Sequence, residues 1–163
     1  MSSTILALDQ SLKVSGTAIF EGRKLTHYEA FSIKPDQKME RRLMNIWQQL
    51  NELWHDYQFE KIYFEDIQLQ AGNALTYKHL AYVQATIILW CAVNEVSYET
   101  LSASHWRKIL GGGFGRKRQE QKEHAIKIVQ EKYGVEVSSD EADAICLGMA
   151  AIKEKEENTV GFS

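Results

Sequence analysis

The chain has 163 residues, enough for one domain with a proper hydrophobic core, and its 44% hydrophobic and 25% charged content is ordinary for a water-soluble globular protein. Net charge is −3, which argues weakly against a phosphate-bearing partner, yet the charge is unevenly spread. Residues 104–133 hold eight lysines and arginines against three glutamates, a net of +5, leaving −8 for the rest. No apolar run reaches the ~18 residues that span a bilayer. The opening MSSTILALDQ has no basic region and meets a charge at Asp9, so it reads as no signal peptide. Cys91 and Cys146 lie in apolar segments without metal-ligand spacing, as reduced packing thiols of a cytoplasmic protein do.

In chain order, TILALDQ reads as a short buried strand ending at Asp9. QSLKVSG reads as a turn, TAIFEG as a returning strand and RKLTHYEAFSI as a third, which makes an antiparallel meander. From Lys38 to Tyr57 the apolar residues fall at threes and fours, the period of an amphipathic helix with Trp47 and Trp54 on its core side. KIYFEDI is the next strand, with Glu65 near its end. A long helix follows from Asn73, apolar on more than one face, then a short strand VSYETL. SASHWRKIL is a short helix stopped by GGGFG, residues 116–134 form another helix closed by Gly134, and a last helix starts at Asp140. Five strands and five helices in this order predict an α/β protein. Its mixed five-stranded sheet has three antiparallel strands and then parallel ones, with helices on both faces because parallel strands need crossovers. No linker divides residues 1–155, and the acidic, polar residues 156–163 read as a flexible tail.

SSDEADAICLGMAA, residues 138–151, crowds Asp140, Glu141 and Asp143 ahead of an apolar run. Asp140 as an N-cap, with acids at the positive end of the helix dipole, explains the first two. Asp143 stays unexplained, since it shares a helix face with Asp140, where like charges repel. In a sheet of this kind, neighbouring strand ends open into one crevice. Asp9 and Glu65 meet there if their strands are parallel neighbours, and the last helix can add Asp140 and Asp143. Four carboxylates without local cations need a metal ion, and all-oxygen ligands favour Mg²⁺ with Mn²⁺ as a substitute. Two such ions ~4 Å apart support in-line attack of water on a phosphodiester. Glu141 lies off the Asp140/Asp143 face and reads as a solvated acid.

ILALDQSLKVSGTAIF, IYFED and SSDEADAICLGMAA, in this order and spacing, resemble the RuvC family of Holliday junction resolvases within the RNase H-like superfamily, from residue 4 to residue 152. Its short chain resembles the phage-encoded branch. The resemblance implies a single RNase H-like nuclease domain whose Asp9, Glu65, Asp140 and Asp143 are both catalytic and metal-binding. It also implies a homodimer that nicks opposing strands of a four-way junction. Two departures stand out. The family follows its first aspartate with proline and glycine, where this chain has Gln10 and Ser11. Cellular members stack an aromatic on bases just after the glutamate, where this chain has Gln68.

Candidate DNA-binding residues are Arg107, which fits the family's basic position before the glycine run, with Lys108, Arg116, Lys117, Arg118, Lys122, Lys13 and Gln68. Cations at a helix start oppose its dipole, so the set after GGGFG reads as a phosphate clamp. His79 and His124 read as structural, and Trp90 as either core or interface. The expected activity is metal-dependent nicking of Holliday junctions and other branched DNA, three-way junctions and replication forks included, in recombination or phage DNA processing. Dimerisation is expected through residues 73–93, without membrane or nucleotide cofactor, in the cytoplasm (a bacterial host's, if phage-encoded). The alternatives are an RNA–DNA hybrid nuclease, a non-catalytic branched-DNA-binding protein, and an actin-like ATPase, whose fold needs two domains of this size.

Overall fold

The computed structural model describes residues 3–11, 13–34, 37–69 and 73–160. Strands β1 (Thr4–Asp9), β2 (Val14–Glu21) and β3 (Lys24–Ser32) form the antiparallel meander. Helix α1 (Met39–Tyr57) leads to β4 (Lys61–Glu65), α2 (Ala74–Asn94) and β5 (Ser97–Leu101). Helices α3 (Ala103–Ile109), α4 (Arg118–Tyr133) and α5 (Ser139–Val160) complete the chain. The sheet runs β3-β2-β1-β4-β5, with β1, β4 and β5 parallel, the mixed arrangement that the element order predicts.

The period-two alternation of the strands sorts the core into two layers. Leu6, Leu8, Ile19, Ile62 and Phe64 face α1 and α2. Ile5, Ala7, Ala18, Phe20 and Tyr63 belong to the layer covered by α3, α4 and α5. Helices therefore lie on both faces. On the α5 side of β1 and β2, Ala7 and Ala18 are small, and two glycines bring the helix closer still. A Cβ on Gly16 of β2 would overlap the Asp140 carbonyl, 2.6 Å from its carbon. A Cβ on Gly148 of α5 would overlap the Phe20 ring, 2.9 Å from Cδ2. Trp90 is fully buried, its indole N–H donating to Asn51 Oδ1 at 2.8 Å and its ring packed edge-on to Trp54. It belongs to the domain's own core. Trp47 and Trp54 pack against that core partly buried.

Three local expectations shift. The turn after β1 is shorter than QSLKVSG, because β2 already pairs with β3 at Val14. The last helix does not begin at Asp140. Ser138 caps it: its hydroxyl accepts the Glu141 N–H at 3.2 Å while the Glu141 carboxylate accepts the Ser138 N–H at 2.9 Å, a reciprocal capping box. Glu141 is thus a structural group, and Asp140 is released from capping. Finally, α5 runs on to Val160, with Glu156 ion-paired to Arg23, so helix replaces the flexible tail over 156–160.

Candidate active site

Parallel pairing of β1 with β4, Leu8 opposite Phe64, ends both strands at one edge of the sheet and brings Asp9 and Glu65 side by side there. Asp9 also lies opposite Gly16 in the β1–β2 register. Because Gly16 lets the first turn of α5 rest on β2, Asp140 and Asp143 arrive beside Asp9. The four acids feel one another. Burial, then the charges of Asp143, Glu65 and Asp140, hold the Asp9 carboxyl well above the usual range. Burial first, then Glu65, pushes Asp143 up to about 7. Burial raises Glu65 as well, opposed by the Trp106 indole N–H, which donates to its Oε2 at 3.4 Å. Among the described residues, that is the one hydrogen bond accepted by any of these four carboxylates.

Of the basic candidates, two reach the cluster. The Arg107 charge draws the Asp9, Glu65 and Asp143 carboxyls down, and Lys122 does the same for Asp143. Arg107 is held by its guanidinium lying 5.1 Å from the Trp106 ring and 5.9 Å from Phe114, and its buried Nε has no acceptor among the described residues. Arg116, Lys117 and Arg118 are exposed at the start of α4, one turn from Lys122, and Lys108 is exposed on α3. Lys13 is exposed in the β1–β2 turn and Gln68 in the segment after β4; neither is linked to the carboxylates by any bond among the described residues.

Sequence reasoning missed three contributors. Gln10, only 9% exposed, donates its side-chain amide to the Glu65 carbonyl at 2.7 Å, and Gln84 of α2 donates to the same oxygen at 2.9 Å. Trp106 both braces Arg107 and bonds Glu65. The signal for Gln10 was its place after Asp9 where the family has a proline, which offers no side-chain amide. Gln84 and Trp106 gave none, since their partners come from other elements.

Among the described residues, no three Asp, Glu, His or Cys side chains are gathered tightly enough to form a ready metal cage. The fit to a divalent ion lies in the donor chemistry. All four groups are carboxylates, burial above all raises the Asp9, Glu65 and Asp143 carboxyls, and neither His nor Cys joins them. That set suits a hard cation and no soft one.

A β3-β2-β1-β4-β5 sheet with acids at the ends of β1 and β4, and more acids on a helix laid across β2, defines an RNase H-like domain with a carboxylate site. The family model described as Crossover junction endodeoxyribonuclease RuvC matches residues 5–151, and this chain belongs to that family. It is 26% identical over 150 residues to the Crossover junction endodeoxyribonuclease RuvC of Alkaliphilus metalliredigens (strain QYMF), covering 89% of this chain and 90% of that one. In fold it resembles Thermus thermophilus RuvC in complex with Holliday junction substrate, with a TM-score of 0.76 at 17% identity over 94% of this chain and 96% of that one. It also resembles the yeast mitochondrial Holliday junction resolvase, with a TM-score of 0.63 at 13% identity over 99% and 83% of the two chains.

Proposed function

We propose that this chain is a metal-dependent, structure-selective endodeoxyribonuclease that nicks Holliday junctions and other branched DNA in recombination or phage DNA processing. The observation that carries this reading is the meeting of Asp9 and Glu65 at adjacent strand ends with Asp140 and Asp143 of α5, in a chain whose family match spans nearly its whole length. Asp9, Glu65, Asp140 and Asp143 are the catalytic residues and would hold two Mg²⁺ ions, for which Mn²⁺ substitutes. When bound, such a pair supplies an activated water and stabilises the departing 3′-oxygen. The chain's own residues do the rest. Gln10 and Gln84 fix the backbone that carries Glu65, Trp106 orients its carboxylate, and Arg107 offers a cation where a phosphate must approach four acids. Lys122 and the exposed Lys108, Arg116, Lys117 and Arg118 continue that positive lining away from the carboxylates, with Lys13 and Gln68 as further DNA contacts. No nucleotide cofactor enters, and the compartment is the cytoplasm, where the two buried thiols stay reduced. No helix among the described residues is long and apolar enough to cross a membrane.

Two symmetric nicks need two sites related by a two-fold axis. Helix α2 supports a homodimer. Val83, Ile87, Trp90 and Cys91 face the core, yet Leu75, Tyr82, Leu89 and Val93 form a second apolar stripe on the outside, Leu89 58% and Val93 62% exposed. Sedimentation should show a dimer at micromolar concentration and a monomer for the variant combining Leu89→Glu with Val93→Glu. A wild-type monomer that still cuts both strands would remove the dimer from the account.

The positive start of α4 should carry sequence-independent affinity. Replacing Arg116, Lys117 and Arg118 by alanine is expected to weaken junction and duplex alike and to lower the steepness of log K against log salt by about 3. An unchanged slope would move the clamp elsewhere. The function itself is tested by offering the protein a labelled four-way junction, a three-way junction, a linear duplex and an RNA–DNA hybrid with Mg²⁺. Nicks confined to branched DNA are expected. Preferred cleavage of the hybrid would favour a ribonuclease, and tight junction binding with no cleavage would favour a non-catalytic binding protein.

A further inference from the structure

The α4 clamp lies on one side of the sheet, and the other side has a counterpart. The β1–β2 turn and the link from β3 to α1 meet at the carboxylate end: the Ile33 N–H donates to the Lys13 carbonyl at 2.7 Å. Lys13 and Lys34 therefore flank one backbone bond. The Gln37 N–H donates to the Lys34 carbonyl at 3.3 Å, and Lys38 stands at the head of α1 with Arg41 one turn in. Lys13, Lys34, Lys38 and Arg41 are all exposed, and none is in an ion pair among the described residues. The acids of the segment 34–42 are Asp36 and Glu40 alone, against Lys34, Lys38, Arg41 and Arg42.

The strand register places this patch. Asp9 lies opposite Gly16, and two residues further along β2 Val14 lies opposite Ser32, next to Ile33. At ~3.3 Å per residue and ~4.8 Å between strands, the Lys13–Ile33 bond is about 12 Å from the Asp9 backbone. That is about three to four nucleotides of one DNA strand at ~3.4 Å each. The patch belongs to the α1/α2 side of the sheet, whereas Lys122 and the start of α4 belong to the α5 side. Stability does not account for it. Lys38 occupies the N-cap with extended backbone but makes no side-chain capping bond, and its charge faces the positive end of the helix dipole. The start of α4 also places a lysine at its cap, Lys117, although there the Glu120 carboxylate accepts the Lys117 N–H at 3.3 Å.

We propose that Lys13, Lys34, Lys38 and Arg41 form a second phosphate-binding wall. It grips the DNA backbone where the strand crossing the carboxylates leaves on the α1 side, while the start of α4 grips it on the other. The inference rests on the nuclease reading above and adds a binding surface to it. A strand held from both sides passes over Asp9 and Glu65 under tension from two fixed points, which suits a site that must select DNA able to bend at a branch.

Two variants test it. The triple change Lys34→Ala, Lys38→Ala and Arg41→Ala is expected to lower the salt slope of junction binding by about 3 and affinity by about 10-fold near 0.15 M salt. Combined with the α4 triple change, the slope losses should add. Lys38→Ser alone should act in opposite senses on two measurements. It supplies the missing cap and raises Tm by about 3 °C, yet weakens DNA binding. Loss of binding with a gain in stability excludes damage to the fold as the cause. Lys24→Ala, at the far end of β3, should leave the slope unchanged. An unchanged slope in the triple variant, or an equal loss in Lys24→Ala, would overturn the second wall. If the α4 change still lowers the slope, the nuclease reading stands without it; if the wild type binds no junction, both fall.

Discussion

Asp143→Asn should abolish junction cleavage and, in metal-free buffer at pH 8, raise the melting temperature. Removing one ligand forfeits charge stabilisation of several kcal/mol in the transition state, so the rate should fall by about 10³-fold or more. The stability gain follows from the opposite sign of the same interaction. The Asp143 carboxyl stands at about 7, against an ordinary 3.8, because burial and the nearby Glu65 disfavour its charge. A carboxyl raised in the folded state costs nothing below about pH 4, where it is protonated folded or unfolded. Its penalty grows as pH climbs through the interval to about 7 and is complete above it. The full displacement corresponds to about 4 kcal/mol, which solvent at the partly exposed mouth of the site reduces to about 1 to 2 kcal/mol. Melting curves from pH 4 to 8 without metal should fall for the wild type and stay flatter for the variant. Adding Mg²⁺ at pH 8 should then raise the Tm of the wild type far more than that of the variant, since only the intact acid set rewards binding. A variant less stable than the wild type at pH 8, or equally active, would show that Asp143 is no part of a charge cluster awaiting a cation.

Gly16→Ala is the second large effect. Gly16 touches no substrate, yet its missing side chain is what allows the first turn of α5 to lie on β2. The added Cβ would meet the main chain of Asp140, not a flexible side-chain tip, so no rotamer change relieves it. The helix start must move outward by about an ångström, or the strand must buckle, at a cost of about 3 kcal/mol. A displacement of that size at Asp140 and Asp143 should lower the rate about 10²-fold even at temperatures where the protein stays folded. Gly148→Ala is the useful comparison, because it meets the Phe20 ring near the middle of α5, remote from the acids. It should destabilise the fold with a smaller loss of rate per degree of Tm. Wild-type cleavage by folded Gly16→Ala would mean that the position of the α5 start does not govern the chemistry.

The carboxylates were legible in the sequence because each sits at a boundary where periodicity changes. Asp9 and Glu65 end apolar strands, and Asp140 and Asp143 open an apolar helix; local pattern pointed to these boundaries, and family resemblance chose Glu65 over its neighbour Asp66. The strand directions were legible for a similar reason, since short turns impose antiparallel pairing and a helical crossover imposes parallel pairing, whereas the placing of β4 beside β1 came from the fold. What remained hidden was contributed across elements. Gln84 reaches the Glu65 carbonyl from α2, and Trp106 reaches its carboxylate from α3, through contacts that no period in either helix announces. Glu141 was misread because the capping partner is Ser138, two residues ahead of the acid that seemed to fill that role. Arg107 was found as a basic residue near a glycine run, but the aromatic bracket of Trp106 and Phe114 that aims it at the acids required the fold.

The exposed cations follow the same division. Their clustering at 116–118 shows in the sequence, whereas Lys13, Lys34 and Lys38 are separated along the chain and assemble only through the hairpin register.

If four carboxylates at one end of the sheet hold a divalent cation and cut branched DNA, both the cation and each acid are indispensable to cleavage. The most direct measurement is cleavage of a four-way junction, each strand labelled in turn, with Mg²⁺, with EDTA, and with Asp9→Asn in the presence of Mg²⁺. Paired nicks at symmetric positions in two opposing strands are expected with Mg²⁺ alone, and an intact junction in the other two reactions. Cleavage that persists in EDTA, or that Asp9→Asn performs at the wild-type rate, would contradict that requirement.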